Sequence, residues 1–441
     1  MPSEKLFAKI TISSILLISI LVIAMSCKEC PTEPEYDIYL SVENVACVWV
    51  TLNVTLPDSG KINTFTLERN DSTVATYTCY DDDTLIIDDG LTPDNDYSYT
   101  VRFLKDGQTK AESDPIVVHT LPTTSHDFTW VIDTLGHYGS SLKDIWIVDE
   151  NNIWVVGNIE TDSGTFNAAM WDGTYWNLIQ VHNLAPLYSI WYFSDDNIWV
   201  SSGFPKHWDG NQWTMYHLQN MGLGSDVSTE YIWASSPNNI YFVGYQGSIV
   251  YYNGSNFSKI SSETEINLTD VYGSPDGSEV WTCGFDNVDG SVLLKKEGNT
   301  FKKIAEVNPN TILGQPGKIS HVFEGIWTDN SNYLYIGATG RIYIVPENST
   351  GNADDLIWWD YNTELGYPPR TSAICGFGSN DIFICGIFGS FIHYNGQDFQ
   401  NYELNIPDSD FFKMEARENM VAACGQFLSW PLGALVVTGK R

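Results

Sequence analysis

The chain has 441 residues, and 22 Lys and Arg against 55 Asp and Glu give it a formal charge of -33 at pH 7. This length exceeds the roughly 100 to 200 residues of an ordinary domain, so we expect several domains or one repeat architecture. Nucleic acid is excluded as a favourable partner because its phosphates repel so acidic a surface. Charged residues make up only 17% of the chain and aromatic residues 14%, which indicates an ordered protein.

The first 26 residues have the pattern of a secretory signal. Lys5 and Lys9 precede the apolar run 10–25, which Thr and Ser residues interrupt. This run is shorter than the roughly 20 residues that a membrane-spanning helix needs. We therefore expect residues 1–26 to act as an export signal.

The end of this signal carries a lipidation pattern. Positions 23–27 read Ile-Ala-Met-Ser-Cys, which resembles the bacterial lipobox. The resemblance implies a lipid on Cys27, a tether over residues 27–36, and attachment to the bacterial cell envelope, at the outer membrane. Ordinary cleavage after Ser26 stays open because Ala-Met-Ser also fits a signal-peptidase site, and the protein would then be secreted.

Residues 37–122 have the pattern of a small β-sandwich, because short apolar runs alternate with turn residues and imply about seven strands. The stretch 91–101, Leu-Thr-Pro-Asp-Asn-Asp-Tyr-Ser-Tyr-Thr-Val, resembles the fibronectin type III signature. The resemblance implies that Tyr97 pins a strand corner and that the domain is a spacer or an adhesive unit. Cys47 and Cys79 both fall in this domain, and a disulfide between them is left open.

Residues 126–441 contain an internal repeat. Each unit has an apolar strand often ending in Ile-Trp, a polar turn, a second strand ending in Gly, and usually an aromatic-Asp-Gly or aromatic-Asn-Gly turn. The first anchor recurs about every 46 residues, which is the length of a four-stranded β-propeller blade. Counting the units gives seven blades. The repeats resemble those of seven-bladed propeller lipoproteins of bacterial envelopes.

The ends of the repeat region predict how the ring closes. The seventh unit stops at Arg441 after its third strand, whereas an unpaired segment at about 127–134 matches the outer strands of the other units. We predict that this segment completes blade seven and removes an open sheet edge. The Asp-Gly and Asn-Gly pairs predict two-residue type I′ hairpins between the two outer strands. The predicted fold class is therefore all-β, with a fibronectin type III-like sandwich before a seven-bladed propeller.

The sequence contains no phosphate-binding, dinucleotide-binding or serine-hydrolase motif, and its eight His lack the spacing of a zinc site. We expect no catalytic residue that a motif identifies, no cofactor and no metal, and calcium binding by the acidic loops is left open. Cys283, Cys385 and Cys424 occupy one repeated position, which favours small buried side chains. A recurring Trp column favours packing between blades, with sugar stacking as the alternative. Its members are Trp146, Trp191, Trp233 and Trp327.

The mouth of the central channel is the predicted ligand site, because the inner strands converge there and loops vary. The residues just before the first-strand Ile or Val, with the less certain Lys413, form one column. They are Asp144, Ser189, Tyr231, Asp270, Gly325, Ala373 and Lys413. Glycoside hydrolysis needs two carboxylates about 5 to 10 Å apart, and Glu230, Asp270 and Glu324 are the candidates. The alternative is that these carboxylates only line the channel.

Two functions are compatible with this sequence. The first is a non-enzymatic, lipid-anchored envelope protein that binds or scaffolds a surface protein or glycan through its propeller. The second is an envelope glycan hydrolase or lyase that uses carboxylates at the channel. We favour the first, with the chain as a monomer, because the repeats explain the fold and carry no catalytic motif.

Overall fold

The structure is a computed structural model, and it describes most of the chain from residue 36 onwards. The described ranges are 36–57, 63–79, 83–182, 185–286, 290–307, 323–329, 333–338, 340–346, 357–360, 370–430 and 432–441. The predicted signal peptide, Cys27 and most of the tether lie outside these residues. Among the described residues, no helix is long and apolar enough to cross a membrane.

The chain divides into two compact units. Of the described residues, the first contains 36–43, 51–57, 63–79, 83–87 and 96–118, and the second contains 44–50, 88–95 and those from 119 onwards.

Two sheets form the predicted β-sandwich near the N-terminus. One has the strand order β1-β2-β5, and the other has the order β4-β3-β6-β7 with β8 beside β6. The strands are β1 (Tyr39–Val45), β2 (Trp49–Thr55), β3 (Asn63–Arg69), β4 (Ser72–Cys79), β5 (Asp83–Asp89), β6 (Asp96–Lys105), β7 (Gln108–Glu112) and β8 (Ile116–His119). Alternate residues of β6 are buried, as expected for a strand with one face on a core; Tyr99 is fully buried and Tyr97 is half-buried. Cys47 and Cys79 are free thiols and are not bridged.

Seven four-stranded sheets form the predicted propeller, and consecutive strands within each blade pair in order. Blade 1 contains β10 (Ser141–Asp149), β11 (Asn152–Thr161), β12 (Gly164–Trp171) and β13 (Trp176–Ile179). Blade 2 contains β14 (Ser189–Ser194), β15 (Asn197–Ser201), β16 (Pro205–Trp208) and β17 (Trp213–Met215). Blade 3 contains β18 (Tyr231–Ser236), β19 (Asn239–Val243), β20 (Ile249–Tyr252) and β21 (Phe257–Ile260).

The next three blades repeat this arrangement. Blade 4 contains β22 (Leu268–Gly273), β23 (Val280–Asp286), β24 (Gly290–Glu297) and β25 (Thr300–Val307). Blade 5 contains β26 (Phe323–Thr328), β27 (Tyr333–Ala338), β28 (Arg341–Pro346) and β29 (Ile357–Asp360). Blade 6 contains β30 (Thr371–Gly378), β31 (Asp381–Gly386), β32 (Phe391–Tyr394) and β33 (Phe399–Asn401). Short 3-10 turns lie at Leu218–Met221, Tyr245–Gly247 and Ile387–Gly389.

The ring closes in blade 7 as the sequence predicts. This blade contains β34 (Ser409–Arg417), β35 (Met420–Phe427), β36 (Ala434–Lys440) and, as its fourth strand, β9 (Thr129–Leu135). Strand β9 runs antiparallel to β36, with Thr129 opposite Lys440 and Leu135 opposite Ala434. The first strand of each blade contacts the first strand of the next, and β34 contacts β10, so the seven blades form a closed ring. The edge of β36 is covered by this pairing.

The Asp-Gly and Asn-Gly turns join the third and fourth strands, but the predicted two-residue type I′ geometry is wrong. Four residues, 172–175, separate β12 from β13, and of the pair Asp172-Gly173 only Gly173 has a positive φ, of 89°. Asp172 Oδ1 instead accepts hydrogen bonds from the backbone N–H groups of Thr174 and Tyr175, at 2.9 and 2.8 Å. The hydrogen bonds to the Asp172 side chain thus stabilise the turn, so two successive residues with a left-handed backbone are not needed.

The repeated aromatic column packs between blades. The ring centroids of Trp146 and Trp191 lie 4.6 Å apart, and those of Trp191 and Trp233 lie 6.3 Å apart. The Trp233 ring comes so close to Gly273 of the next blade that a Cβ there would be 2.7 Å from it. This arrangement favours the packing interpretation of the column over sugar stacking. Cys283, Cys385 and Cys424 are buried free thiols, as their shared position predicts.

Candidate functional site

A cavity of about 150 Å³ lies where the first strands of the blades converge. Four residues of the predicted site line it, together with Lys413 of the same column. The four are Asp144, Ser189, Tyr231 and Asp270. Glu230 and Glu324, which lie one residue earlier along their strands, are not among the residues that line this cavity.

The polar residues of this column connect one blade to the next. Asp144 Oδ2 accepts hydrogen bonds from Ser189 Oγ at 2.7 Å and from the backbone N–H of Ile190 at 2.9 Å. Ser189 Oγ in turn accepts a hydrogen bond from the backbone N–H of Ile232 in blade 3, at 3.2 Å. Each side chain thereby satisfies a buried N–H of the following first strand, a group that would be costly to leave without a partner.

Asp270 repeats this role between blades 4 and 5. Its Oδ2 accepts a hydrogen bond from the backbone N–H of Ile326 at 3.1 Å, and its Oδ1 accepts one from the N–H of Val271 at 3.0 Å. Lys413 Nζ in blade 7 donates to the same Oδ1 at 2.6 Å. Blades 4 and 7 are not neighbours, so this ion pair crosses the channel.

The electrostatics of the cavity follow from burial and from Lys413, the one cationic side chain among the described residues that line it. Burial raises the pKa of Asp144 to about 6, although Lys413 and the hydrogen bonds from Ile190 and Ser189 oppose the shift. Burial alone would lower the pKa of Lys413, but the charges of Asp270 and Asp144 raise it above its ordinary value. The ammonium group is therefore held charged between two carboxyl groups, which leaves little of their negative charge to attract a ligand.

Two further side chains of blade 7 contact the backbone of blade 1, and neither is among the residues predicted for the site. Glu415 Oε2 accepts a hydrogen bond from the backbone N–H of Ile147, and Arg417 Nη1 donates to the carbonyl of Ile147 at 2.7 Å. Burial raises the pKa of Glu415 to about 8. Glu415 stands at the blade 7 position that corresponds to Trp146 in blade 1. A charged residue in a column that is aromatic in blades 1 to 5 was the available signal.

Glu230 lies at the start of blade 3 in a separate polar group. It is almost fully buried, its Oε1 accepts a hydrogen bond from Ser228 Oγ at 2.8 Å, and its Oε2 has no hydrogen-bond partner among the described residues. Burial raises the pKa of Glu230. Burial also lowers the pKa of the neighbouring Lys206 to about 8, and its ammonium group donates to Ser202 Oγ.

Glu324 lies at the start of blade 5 and is engaged by an arginine. Arg370 forms an ion pair with it, with Nε donating to Oε1 at 2.7 Å, and the guanidinium carbon lies 5.0 Å from the centre of the Phe285 ring. Burial raises the pKa of Glu324, and the hydrogen bond and charge of Arg370 oppose this shift. Of the three carboxylates considered for hydrolysis, only Asp270 therefore lines the cavity.

The described residues contain no group of three or more His, Cys, Asp or Glu side chains placed to hold a metal ion.

Comparison with known proteins gives structural matches only. No family model matches the chain, and no curated protein matches it. One match is a chain of a mitotic checkpoint complex, at 11% identity and a TM-score of 0.47 over 73% of this chain and 98% of that one. Another is the extracellular domain of a proposed one-component system from B. thetaiotaomicron, at 10% identity and 0.47 over 69% of this chain and 39% of that one.

A third match is the extracellular domain of a proposed hybrid two-component system from B. thetaiotaomicron. It has 12% identity and a TM-score of 0.41, and it covers 90% of this chain and 69% of that chain.

Proposed function

We propose that this chain is a non-enzymatic, lipid-anchored binding or scaffold protein of the bacterial cell envelope, and that the propeller is its interaction surface. The proposal depends on the contacts made by two carboxylates that line the channel, Asp144 and Asp270. Asp144 and Asp270 accept hydrogen bonds from the first strands of the following blades, and Lys413 forms an ion pair with Asp270 from across the channel. Side chains committed in this way hold the ring together instead of facing a substrate.

The size of the channel cavity supports the same conclusion. Its volume of about 150 Å³ is below the roughly 300 to 1,000 Å³ of most small-molecule sites. A glycosidase would also need room for a sugar ring and two free carboxyl groups on either side of the scissile bond. Binding on the outer surface of the blades does not need this space.

The proposed location rests on the N-terminal sequence. The apolar run and the Ile-Ala-Met-Ser-Cys pattern at positions 23–27 support lipidation of Cys27, and the fibronectin-like segment 37–122 would then act as a spacer. A chain anchored through several acyl groups would remain with the membrane, because each buried CH₂ contributes about 0.8 kcal/mol.

Lipidation is tested by the intact mass and acyl labelling of the mature protein, beside a Cys27→Ala variant. We expect a lipid mass on the wild type and its loss, with release of the protein, in the variant. An unlipidated wild type that begins at Cys27 would contradict the anchor and leave a secreted binding protein.

The absence of catalysis is tested with envelope polysaccharide and peptidoglycan. The purified chain is incubated with each, and new reducing ends and unsaturated uronate absorbance are measured. We expect no product above a heat-denatured control. Product that disappears in Asp270→Asn while that variant stays folded would establish the hydrolase or lyase alternative.

A further inference from the structure

One end of each blade carries the turn between its second and third strands and the connection to the next blade. These segments share an end because successive antiparallel strands reverse direction. At this end of blades 6, 7 and 1, large apolar side chains are exposed. Trp430 is 84% exposed, Phe388 80% and Tyr138 77%, and Leu428 is also exposed. We call this surface the aromatic rim, and it consists of Tyr138, Phe388, Leu428, Trp430 and the acidic residues Asp162, Asp408 and Asp410.

Backbone contacts make the rim continuous across the three blades. The N–H of Phe388 in blade 6 donates to Asp410 Oδ1 at 3.2 Å, and the N–H of Leu428 in blade 7 donates to the carbonyl of Asp408 at 2.7 Å. The loop that carries Leu428 and Trp430 ends at Gly433, beside Gly136, which begins the connection to blade 1.

The same continuity extends into blade 1. The N–H of His137 donates to the carbonyl of Glu160 at 2.9 Å, and His137 Nε2 lies 3.8 Å from the exposed carboxylate of Asp162. Tyr138 follows directly in the same connection. The exposed rings of three consecutive blades therefore belong to one surface instead of being scattered singly.

The ring of Phe388 is not required by its turn. Phe388 has a left-handed backbone, with φ of 58°, and this conformation is unfavourable for a bulky residue. Blade 3 contains the same turn, with Gln246 at φ of 55° and with its N–H donating to Asn267 Oδ1 at 3.0 Å. The polar residue Gln246 therefore forms this turn in blade 3. The backbone of the equivalent turn in blade 6 does not require the exposed phenyl ring of Phe388.

The charge beside these rings is negative. Asp162, Asp408 and Asp410 are the charged members of the rim, and the chain as a whole carries a charge of -33. Lys143 lies within electrostatic reach of Asp410, and its Nζ is covered by the Phe412 ring, whose centre is 3.7 Å away. A surface that combines carboxylates with aromatic faces favours guanidinium and ammonium groups. These cations form ion pairs with the carboxylates and stack on the aromatic rings.

We infer that the aromatic rim binds a cationic, Arg- or Lys-rich segment of a partner protein. This inference rests on the proposed binding function and names its partner class. The negative field of the chain would speed the encounter, and the exposed rings would supply a centre for the contact. Neutral glycan, which would stack on the rings without needing the carboxylates, is the alternative that the experiment separates.

The test is fluorescence anisotropy with the purified full chain and a labelled twelve-residue peptide of alternating Arg and Gly. A peptide of alternating Glu and Gly and the neutral sugar cellohexaose serve as comparison ligands. The variant Phe388→Ser with Trp430→Ser removes two rim rings. Tyr175→Ser is the matched control, because Tyr175 is 72% exposed in a turn at the opposite end of blade 1.

We expect the Arg-Gly peptide to bind, the Glu-Gly peptide not to bind, and the affinity to fall as NaCl is raised. The rim variant should bind about tenfold more weakly, whereas Tyr175→Ser should stay within about twofold of the wild type. Asp162→Asn with Asp408→Asn should weaken binding and reduce its dependence on salt. Equal unfolding temperatures of all variants would confirm that the surfaces alone have changed.

Three results would overturn the inference. Equal losses in the rim and Tyr175 variants would show diffuse attraction to an acidic surface, and no binding of the Arg-Gly peptide would exclude the partner class. Binding of cellohexaose that is lost in the rim variant would replace the cationic partner with a glycan, while the proposed binding function would stand. Failure of the proposed function itself would instead be seen as polysaccharide cleavage that rim variants leave intact.

Discussion

Lys413 and Asp270 come from blades that are not neighbours, and their side chains meet in the channel at 2.6 Å. Asp270 also accepts a hydrogen bond from the backbone N–H of Ile326. The contact with Ile326 links the adjacent blades 4 and 5, and the ion pair with Lys413 links opposite sides of the ring. Breaking such a pair by removing one partner leaves a charge with poor solvation, whereas replacing both partners removes the penalty.

We therefore predict that Lys413→Met lowers stability by about 3 kcal/mol, and that Lys413→Met combined with Asp270→Asn lowers it by less than the sum of the single changes. The measurement is the thermal unfolding of the four proteins of this double-mutant cycle. Additive effects would mean that the two side chains do not interact in the folded ring.

Glu415 provides a pH-dependent prediction. Its folded pKa is about 8, against an ordinary value of 4.5, so the folded state favours the protonated carboxyl. Its contribution to stability is fully present below the ordinary pKa and is lost as the pH rises through about 8. Glu415→Gln mimics the protonated form, so we expect the variant to lose less stability than the wild type between pH 6 and pH 9. Parallel melting-temperature profiles of the two proteins would show that Glu415 is not the titrating group.

Individual elements differ in how far the sequence predicts them. The closing strand β9 could be predicted because residues 127–134 match a repeated pattern and the last unit lacks a strand. The Asp-Gly turns were predicted at the right place with the wrong geometry, because the dipeptide alone does not show that Asp172 hydrogen-bonds to Thr174 and Tyr175. The pairing of Lys413 with Asp270 depends on the diameter of the closed ring, which a linear repeat does not contain.

The segment before β9 is fixed to blade 6 by a histidine pair. His126 Nδ1 and His393 Nδ1 lie 2.7 Å apart, and His393 Nε2 lies 2.8 Å from Asp381 Oδ1. Arg441 donates two hydrogen bonds to Asp381, and the Tyr402 hydroxyl donates to the backbone carbonyl of His126. A hydrogen bond between the two Nδ1 atoms requires that one of them carries a proton and the other does not.

This geometry predicts acid sensitivity. Burial lowers the pKa of both His126 and His393, and Arg441 also lowers both, while Asp381 raises both and Asp398 raises that of His126. A lowered pKa contributes stability that is present above the ordinary value of 6.5 and is lost as the pH falls through the folded pKa. We expect His126→Phe, which keeps a ring against His393, to lose less stability than the wild type between pH 7 and pH 5. An equal loss in both proteins, measured by melting temperature, would exclude the pair as its cause.

At the scale of the whole molecule, the ring depends on a contact between distant parts of the chain. Blades 1 to 6 are each formed from one continuous segment, but blade 7 joins β9 to β36, whose residues are about 300 positions away. The hydrogen bonds of Glu415 and Arg417 to Ile147 lie across the same junction, between blades 7 and 1. Opening the ring at this junction would expose a sheet edge and separate both sets of contacts at once.

A disulfide across this junction should therefore stabilise the propeller. Val131 and Thr438 are directly opposite each other in β9 and β36, at a Cα separation that antiparallel pairing keeps within reach of a disulfide. We predict that Val131→Cys with Thr438→Cys crosslinks on oxidation and raises the melting temperature by several degrees, because it closes a loop of about 300 residues. Reduction should return the value to that of the single variants, which serve as controls. Failure of the two cysteines to crosslink in the folded protein would contradict the pairing of β9 with β36 and, with it, the closure of the seventh blade.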